Sequence, residues 1–178
     1  MPDKEIIYLY NKGQRELAFN LIVKNYSERI YHHIRRFVYS HDDADDLTQE
    51  VFIKIWAALP SFRADAQLFT WVYRIATNES LNFLRKQKLR TILSLDSSDS
   101  ILVKKLECDE HFNGDKIQTE LQKAIIKLPE KQRVVFNLRY FDEMKYEDIS
   151  EITGTSVGAL KASYHHAYNK IKETLLNL

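Results

Sequence analysis

Residues 144–171 read MKYEDISEITGTSVGALKASYHHAYNKI, and their pattern gives the strongest indication of the fold in the second half of the chain. A short helix is predicted over residues 146–153, and Gly154 suits the turn that ends it. Ser156 can then cap a second helix that begins at Val157. Apolar residues stand where the two helices must pack together, namely Ile149, Ile152, Val157, Leu160 and Ile171. The pattern is typical of a helix-turn-helix.

The second helix of this motif has a face that suits a DNA groove. Its small residues would let the backbone approach closely, and its polar side chains can reach phosphates or base edges. The candidate residues on this helix and its cap are Ser156, Gly158, Ala159, Lys161, Ala162, His165, His166 and Asn169. A helix kept slim for packing gives the same pattern, so the motif alone also allows an ordinary helical corner.

Helical periodicity extends over most of the remaining sequence. Apolar residues recur at three- and four-residue spacing over about 14–39, 41–59 and 68–90 in the first half, and over 117–128 and 130–141 in the second. Only 4 Gly and 3 Pro occur in 178 residues, which disfavours a turn-rich β-sandwich. We therefore expect an all-α protein.

Composition also limits the class of protein. Hydrophobic residues make up 44% of the sequence, enough for ordinary cores, so wholesale disorder is excluded. The single cysteine, Cys108, cannot form an internal disulfide, and neither a signal segment nor an apolar run long enough for a membrane span is present. We expect a soluble protein of the reducing cytoplasm.

Charge divides the chain into three parts, although the formal net charge is only +1. Residues 1–90 carry a net +3, residues 91–117 a net −3 and residues 118–178 a net +1. The middle part is rich in Ser and Asp and has no sustained period, which predicts a flexible acidic linker between two small helical domains, 1–90 and 118–178. The low net charge also predicts weak DNA affinity for the protein alone.

Two features of the first domain allow more than one interpretation. The run HDDADD (41–46) contains a His-Asp pair of the kind found in helical metal-dependent phosphohydrolases, but further ligands are missing and helix capping explains the carboxylates. The basic end of the third helix, RKQKLR, lies near Trp71, Tyr73, Asn78 and Asn82, a mixture that suits single-stranded nucleic acid as well as a solvated face. We expect no catalytic residue, metal site or cofactor.

Taken in order, four stretches resemble a bacterial RNA polymerase sigma factor of the extracytoplasmic-function (ECF) subgroup. They are DDADDLTQEVFIKIW (42–56), FTWVYRIATNESLNFLRKQK (69–88), LPEKQRVVFNLRYFDEMKYEDISEITGTS (128–156) and VGALKASYHHAYNKI (157–171). The resemblance implies two helical domains that bind core RNA polymerase, recognise promoter −10 and −35 elements and help melt the −10 region.

The resemblance also assigns roles to residues. Core polymerase would be bound by Asp46, Gln49, Glu50, Phe52 and Trp56. Single-stranded −10 DNA would be bound by Phe62, Arg63, Asp65, Gln67, Trp71, Arg74, Asn78, Asn82, Arg85 and Lys86. The helix-turn-helix would read the −35 element as duplex DNA. There the family commonly has arginines where Ser163 and His166 stand, which implies a different base preference or weaker guanine readout.

The resemblance implies three partners and no small-molecule substrate. These are core RNA polymerase, promoter DNA and an inhibitory anti-sigma factor, which in many members is membrane-anchored. A stand-alone helix-turn-helix regulator, which would bind an operator without polymerase, is the main alternative, and the metal phosphohydrolase is a third.

Overall fold

A computed structural model describes residues 2–63, 67–91, 97–112 and 114–177 of the chain. Over these ranges the chain forms nine α-helices and no strand. The helices are α1 (Pro2–Asn11), α2 (Arg15–Val38), α3 (His41–Ala58), α4 (Leu68–Thr91), α5 (Ser98–Cys108), α6 (Lys116–Ile126), α7 (Glu130–Phe136), α8 (Tyr146–Thr153) and α9 (Val157–Leu176). A short 3-10 turn, Leu59–Ser61, follows α3, and a π-helical turn, Asn137–Phe141, continues α7. The predicted all-α class is confirmed.

Helices α2, α3 and α4 pack together in the first half of the molecule. One side of α2 is fully buried along its length, as Ile22, Ile30 and Ile34 show. Helix α3 begins where the chain supplies a cap, because the hydroxyl of Ser40 accepts a hydrogen bond of 3.3 Å from the Asp43 N–H. Aspartates in the first turn add favourable charge at this end of the helix dipole.

Helices α6, α7 and α9 enclose a second, smaller core in the second half. Its buried residues include Ile125, Phe136 and Ile171. Helix α8 ends at Gly154, which adopts the left-handed conformation with φ of 68°. Ser156 then caps α9 by accepting a hydrogen bond of 3.4 Å from the Ala159 N–H. The helix-turn-helix has the bounds that the sequence predicts.

Helix α5 corrects the prediction of a flexible linker over residues 91–117. Residues 98–108 form a helix whose cap, the hydroxyl of Ser97, accepts a hydrogen bond of 3.2 Å from the Ser100 N–H. Leu102 and Leu106 lie one turn apart and are buried against the rest of the molecule. Burial of this narrow apolar stripe stabilises a helix that periodicity alone does not reveal. The domain limits 1–90 and 118–178 stay a prediction.

The two halves of the chain pack against each other. Helix α8 lies against α4, and the larger hydrophobic cluster continues from the first half into the second through Val134, Leu138, Met144 and Ile149. Among the described residues, no helix combines the length and the apolar character that crossing a bilayer requires.

Candidate nucleic-acid and protein interfaces

Helix α3 presents a polar ridge to solvent. Of the residues assigned to polymerase binding, Asp46, Gln49 and Glu50 are exposed, and Trp56 is 38% exposed. The Gln49 amide donates a hydrogen bond of 3.1 Å to Asp45 across one helical turn. Carboxylates on such a ridge can accept charge-assisted hydrogen bonds from arginines of a protein partner. Phe52 points the other way and is buried in the core.

Ile53 belongs to this ridge, and the sequence analysis missed it. Its side chain is 68% exposed, and it lies three residues from Glu50 and from Trp56, hence on the same side of the helix. The sequence did carry one sign of this role, because Ile53 is an apolar residue that stands outside the buried apolar face of α3. A solvent-exposed isoleucine beside a tryptophan and acidic groups is typical of a protein-binding surface.

Two residues near the start of α2, Arg15 and Phe19, contact Trp56. The Arg15 guanidinium carbon lies 4.0 Å from the centre of the Trp56 ring, and the same side chain donates a hydrogen bond to the Trp56 carbonyl. The Phe19 ring contacts Trp56 edge-on, with ring centres 5.0 Å apart. No sequence signal links these distant residues. Together they fix the orientation of the indole ring.

The His-Asp run at the start of α3 makes ordinary structural contacts. The His41 ring nitrogen Nδ1 shares a hydrogen bond of 2.7 Å with the Tyr31 hydroxyl, and the ring stacks on His111 with centres 4.0 Å apart. Asp43 pairs with Lys105 of α5. Within the described ranges, no three His, Cys, Asp or Glu side chains are grouped so that they could hold a metal ion.

The loop between α3 and α4 carries the first residues assigned to −10 DNA. Arg63 and Gln67 are exposed, whereas Phe62 is buried, with its ring centre 5.0 Å from that of Trp71. Trp71 is half-buried. Asp65 lies outside the described residues. Phe62 and Trp71 thus form an aromatic pair at the base of the loop.

The remaining −10 residues form a stripe along α4. All of them are solvent-exposed: Arg74, Asn78, Asn82, Arg85 and Lys86. Their spacing of three or four residues places cations and amides on one side of the helix, as binding to a nucleic-acid backbone requires.

The second half of the molecule covers part of this stripe. Arg74 donates a hydrogen bond of 2.7 Å to the Glu151 carbonyl, and Arg85 forms an ion pair of 2.8 Å with Glu130. Asn78 lines a cavity of about 260 Å³ between α4 and the helix-turn-helix. Several side chains assigned to DNA therefore have partners within the protein.

A buried ionic cluster joins the two halves and was not predicted. The Asp142 carboxylate accepts hydrogen bonds of 2.8 Å each from His33 Nδ1 and from Arg36, and its side chain is only 5% exposed. The His33 Nε2 atom shares a hydrogen bond of 3.0 Å with the Thr77 hydroxyl of α4. Burial by itself raises the pKa of Asp142, but His33 and Arg36 outweigh it and hold this pKa below its ordinary value.

Helix α9 presents the face assigned to −35 DNA without obstruction from the described residues. Seven of the eight assigned residues are exposed, and Asn169 is half-buried. Its amide lies 3.0 Å from His165 Nε2, and the Lys161 ammonium lies 5.7 Å from the centre of the Tyr146 ring. Leu160, Ala167 and Ile171 are buried on the opposite side of α9. The helix is therefore anchored by one side and open on the other.

Comparison with known families gives two matches, one in each half of the chain. Residues 22–90 match the family model of Sigma-70 region 2, and residues 118–171 match that of Sigma-70 region 4. The first contains α3 and the α4 stripe, and the second contains the helix-turn-helix.

Curated relatives match the chain along nearly its whole length. RNA polymerase sigma-H factor of Pseudomonas aeruginosa is 32% identical over 97% of this chain and 93% of its own. The ECF RNA polymerase sigma factor SigW of Bacillus subtilis is 30% identical over 100% of this chain and 99% of its own. The ECF RNA polymerase sigma-E factor of Escherichia coli is 32% identical over 96% and 93%.

Two solved structures share the fold. CnrH, in complex with the cytosolic domain of CnrY, superposes with a TM-score of 0.72 at 20% identity and covers 98% of this chain and 97% of its own. The sigma factor RpoE of Bartonella quintana, in complex with the anti-sigma factor NepR, has a TM-score of 0.68 at 24% identity over 88% and 96%. Because both family models match the chain and relatives at least 30% identical match it over nearly its whole length, the chain belongs to the ECF RNA polymerase sigma factors.

Proposed function

We propose that this sigma factor binds core RNA polymerase through the exposed ridge of α3. As a member of its family, the protein directs transcription initiation at specific promoters. The observation that supports the assignment of the ridge is the exposure of Ile53 and Trp56 beside Asp46, Gln49 and Glu50. Apolar anchors supply buried area in such an interface, and the acidic and amide groups orient the partner.

Promoter melting is assigned to α4 and the loop that precedes it. Stacking of an unpaired base on an aromatic ring contributes about 1 to 3 kcal/mol per base, which offsets the loss of stacking in the duplex. Arg74, Asn78 and Arg85 would hold the backbone of the same strand. No covalent chemistry is required, so the protein needs neither catalytic residues nor a cofactor.

Recognition of the −35 element is assigned to the open face of α9. Lys161, His165 and His166 supply the contacts with phosphates and base edges. Histidine at position 166 offers one ring nitrogen where an arginine would offer a bidentate fork to guanine. We therefore expect a base preference that differs from that of relatives with arginine at this position.

We further assign a protein inhibitor as a partner. One structure of the same fold holds an anti-sigma factor, and the regulated step in this chain would be access to α4 and α3. We place the protein in the cytoplasm, where RNA polymerase acts. A stand-alone operator-binding regulator is not favoured, because its first domain would have no reason to match region 2 of sigma factors.

Co-elution with bacterial core RNA polymerase on size exclusion tests the proposed ridge. The wild-type protein should co-elute, and Asp46→Arg/Gln49→Ala should weaken the complex at least tenfold. Asn20→Ala/Glu28→Arg makes the same chemical changes at exposed positions of α2 and serves as the control. Failure of the folded wild-type protein to bind would favour the stand-alone regulator, whereas retention of binding by the Asp46 variant would overturn the assignment of the ridge.

A further inference from the structure

Helix α1 lies outside both segments that match the family models, yet it contacts the entrance of the −10 loop. Tyr10 is the last residue but one of α1. Its hydroxyl points toward two backbone carbonyls. The oxygen lies 3.3 Å from the Phe62 carbonyl and 3.4 Å from the Pro60 carbonyl. These two carbonyls flank the point where the chain leaves α3 and enters the loop.

The Tyr10 ring completes an aromatic row with the loop. It meets Phe62 edge-on, with ring centres 5.9 Å apart, and Phe62 in turn lies 5.0 Å from Trp71. Because Phe62 is buried between these two rings, its position is set by α1 on one side and by α4 on the other. A contact from α1 thereby determines where the loop begins.

Helix α1 is itself held firmly enough to act as a support. Ile6 is buried against the core, and the Tyr26 hydroxyl donates a hydrogen bond of 2.8 Å to Asp3. Burial is the larger cause and the hydrogen bond to Asp3 the smaller one that raise the pKa of Tyr26. This hydroxyl therefore keeps its proton and its donor role at neutral pH. The turn after α1 then leads to Arg15, which binds the carbonyl of Trp56. The corner between α1 and α2 therefore touches α3 and the loop at neighbouring points.

We propose that Tyr10 is a positioning residue for promoter opening. It fixes Phe62 at the entrance of the loop, so that Phe62 and Trp71 are arranged before an unpaired base arrives. Preorganisation of this kind lowers the ordering cost of binding, and its loss is felt in the step that captures the base. The inference rests on the proposed role of the loop in −10 melting.

Open-complex formation with core polymerase tests this inference through Tyr10→Ala and Tyr10→Phe. Tyr8→Ala is the matched control, because Tyr8 lies on the same helix with its side chain exposed. The template is a duplex promoter recovered from a random-sequence library with the wild-type holoenzyme, and permanganate reactivity of unpaired thymines is the readout. A second template carries the same sequence with its −10 region already mismatched and unpaired.

We expect Tyr10→Ala to slow opening of the duplex about tenfold, Tyr10→Phe to slow it less, and Tyr8→Ala to leave it unchanged. Core binding should stay within twofold of wild type, whereas complex formation on the mismatched template, measured by gel shift, should also weaken for Tyr10→Ala, because its unpaired bases must still be captured by the same residues. Equal opening by Tyr10→Ala and wild type would overturn the inference. A loss on the duplex with no loss on the mismatched template would place the effect outside base capture and overturn the inference, and a loss of core binding would show a merely structural role and also overturn it. Failure of the wild type on both templates would instead contradict the proposed function on which the inference rests.

Discussion

Asp142 makes a buried ionic contact between the two halves. It accepts hydrogen bonds from His33 and Arg36 of α2, while its own backbone belongs to the turn that precedes α8. Removing one partner from a buried ion pair leaves the other without compensation, which destabilises by about 3 kcal/mol. Here the loss falls on the docking of the two halves rather than on either core.

We predict that Asp142→Asn separates the two halves. Spin labels at Lys24→Cys and Lys172→Cys, both exposed positions, report the separation by double electron-electron resonance once Cys108 is replaced by serine. The wild-type background should give a narrow distance distribution and Asp142→Asn a broad, longer one. Glu147→Gln, which neutralises an exposed carboxylate of α8, should behave as the wild type; identical distributions for Asp142→Asn and wild type would contradict the role of the cluster.

The sign of the pH dependence follows from the lowered pKa of Asp142. A carboxyl group whose pKa is lower in the docked state contributes stability that is complete above the ordinary aspartate value of about 3.9. This contribution is lost as the pH falls from that value through the lowered one. The wild-type distribution should therefore stay narrow at neutral pH and approach that of Asp142→Asn only below about pH 4.

Residues of the site differ in how far the sequence could predict them. Asp46, Arg74 and Lys161 lie on exposed faces of helices, so periodicity and family resemblance together predict both their element and their exposure. Tyr10 and Asp142 act through contacts with residues 52 and 109 positions away in the chain. Such contacts depend on tertiary packing, for which a single sequence carries no local signal.

At the scale of elements, the helices that could be predicted are those with strong ends. Helix α8 ends at a left-handed glycine and α9 begins at a serine cap, so their bounds follow from the sequence. Helices α1 and α5 bury only a narrow stripe each and were not predicted. The π-helical turn Asn137–Phe141 also carries no signature, since its extra residue is accommodated by packing.

Replacing two glycines of the helix-turn-helix by alanine should change the free energy of unfolding in opposite directions. Gly154 has φ of 68° and Gly158 lies within α9, and a Cβ added at either would meet no atom within 4 Å. Space is therefore not the issue and only backbone conformation matters. Gly154→Ala should lower the free energy of unfolding by about 1 kcal/mol, because alanine is disfavoured in the left-handed region.

Gly158→Ala should instead raise the free energy of unfolding by about 0.5 to 1 kcal/mol, because alanine is the better residue inside a helix. Urea unfolding followed by circular dichroism measures both changes. If the two variants change stability in the same direction, the assigned turn between α8 and α9 is wrong.

In the whole molecule, the docked arrangement would, under the proposed function, place the second half in competition with promoter DNA. The α4 stripe binds Glu151 and Glu130 of the second half. Under the proposed function, DNA would gain full use of Arg74 and Arg85 only after these contacts break. The interface is also imperfect. The Tyr39 hydroxyl, Arg133 Nε and Asn137 Oδ1 are buried with no hydrogen-bond partner among the described residues.

Each such unsatisfied group costs about 1 to 3 kcal/mol. This cost opposes docking, and under the proposed function binding to polymerase would supply the remaining energy for opening. The low net charge of +1 also predicts that the protein alone has little general attraction for DNA. Polymerase and promoter would then select the separated form together.

Promoter-directed initiation by this protein is tested by transcription from a library of random-sequence duplexes, with core RNA polymerase in the presence and absence of the protein. We expect transcripts that depend on the protein and start downstream of two shared sequence blocks, with thymines unpaired in the block nearer the start. We also expect only weak binding of the same duplexes by the protein alone. Absence of protein-dependent transcripts, together with tight operator-like binding without polymerase, would contradict initiation through core polymerase.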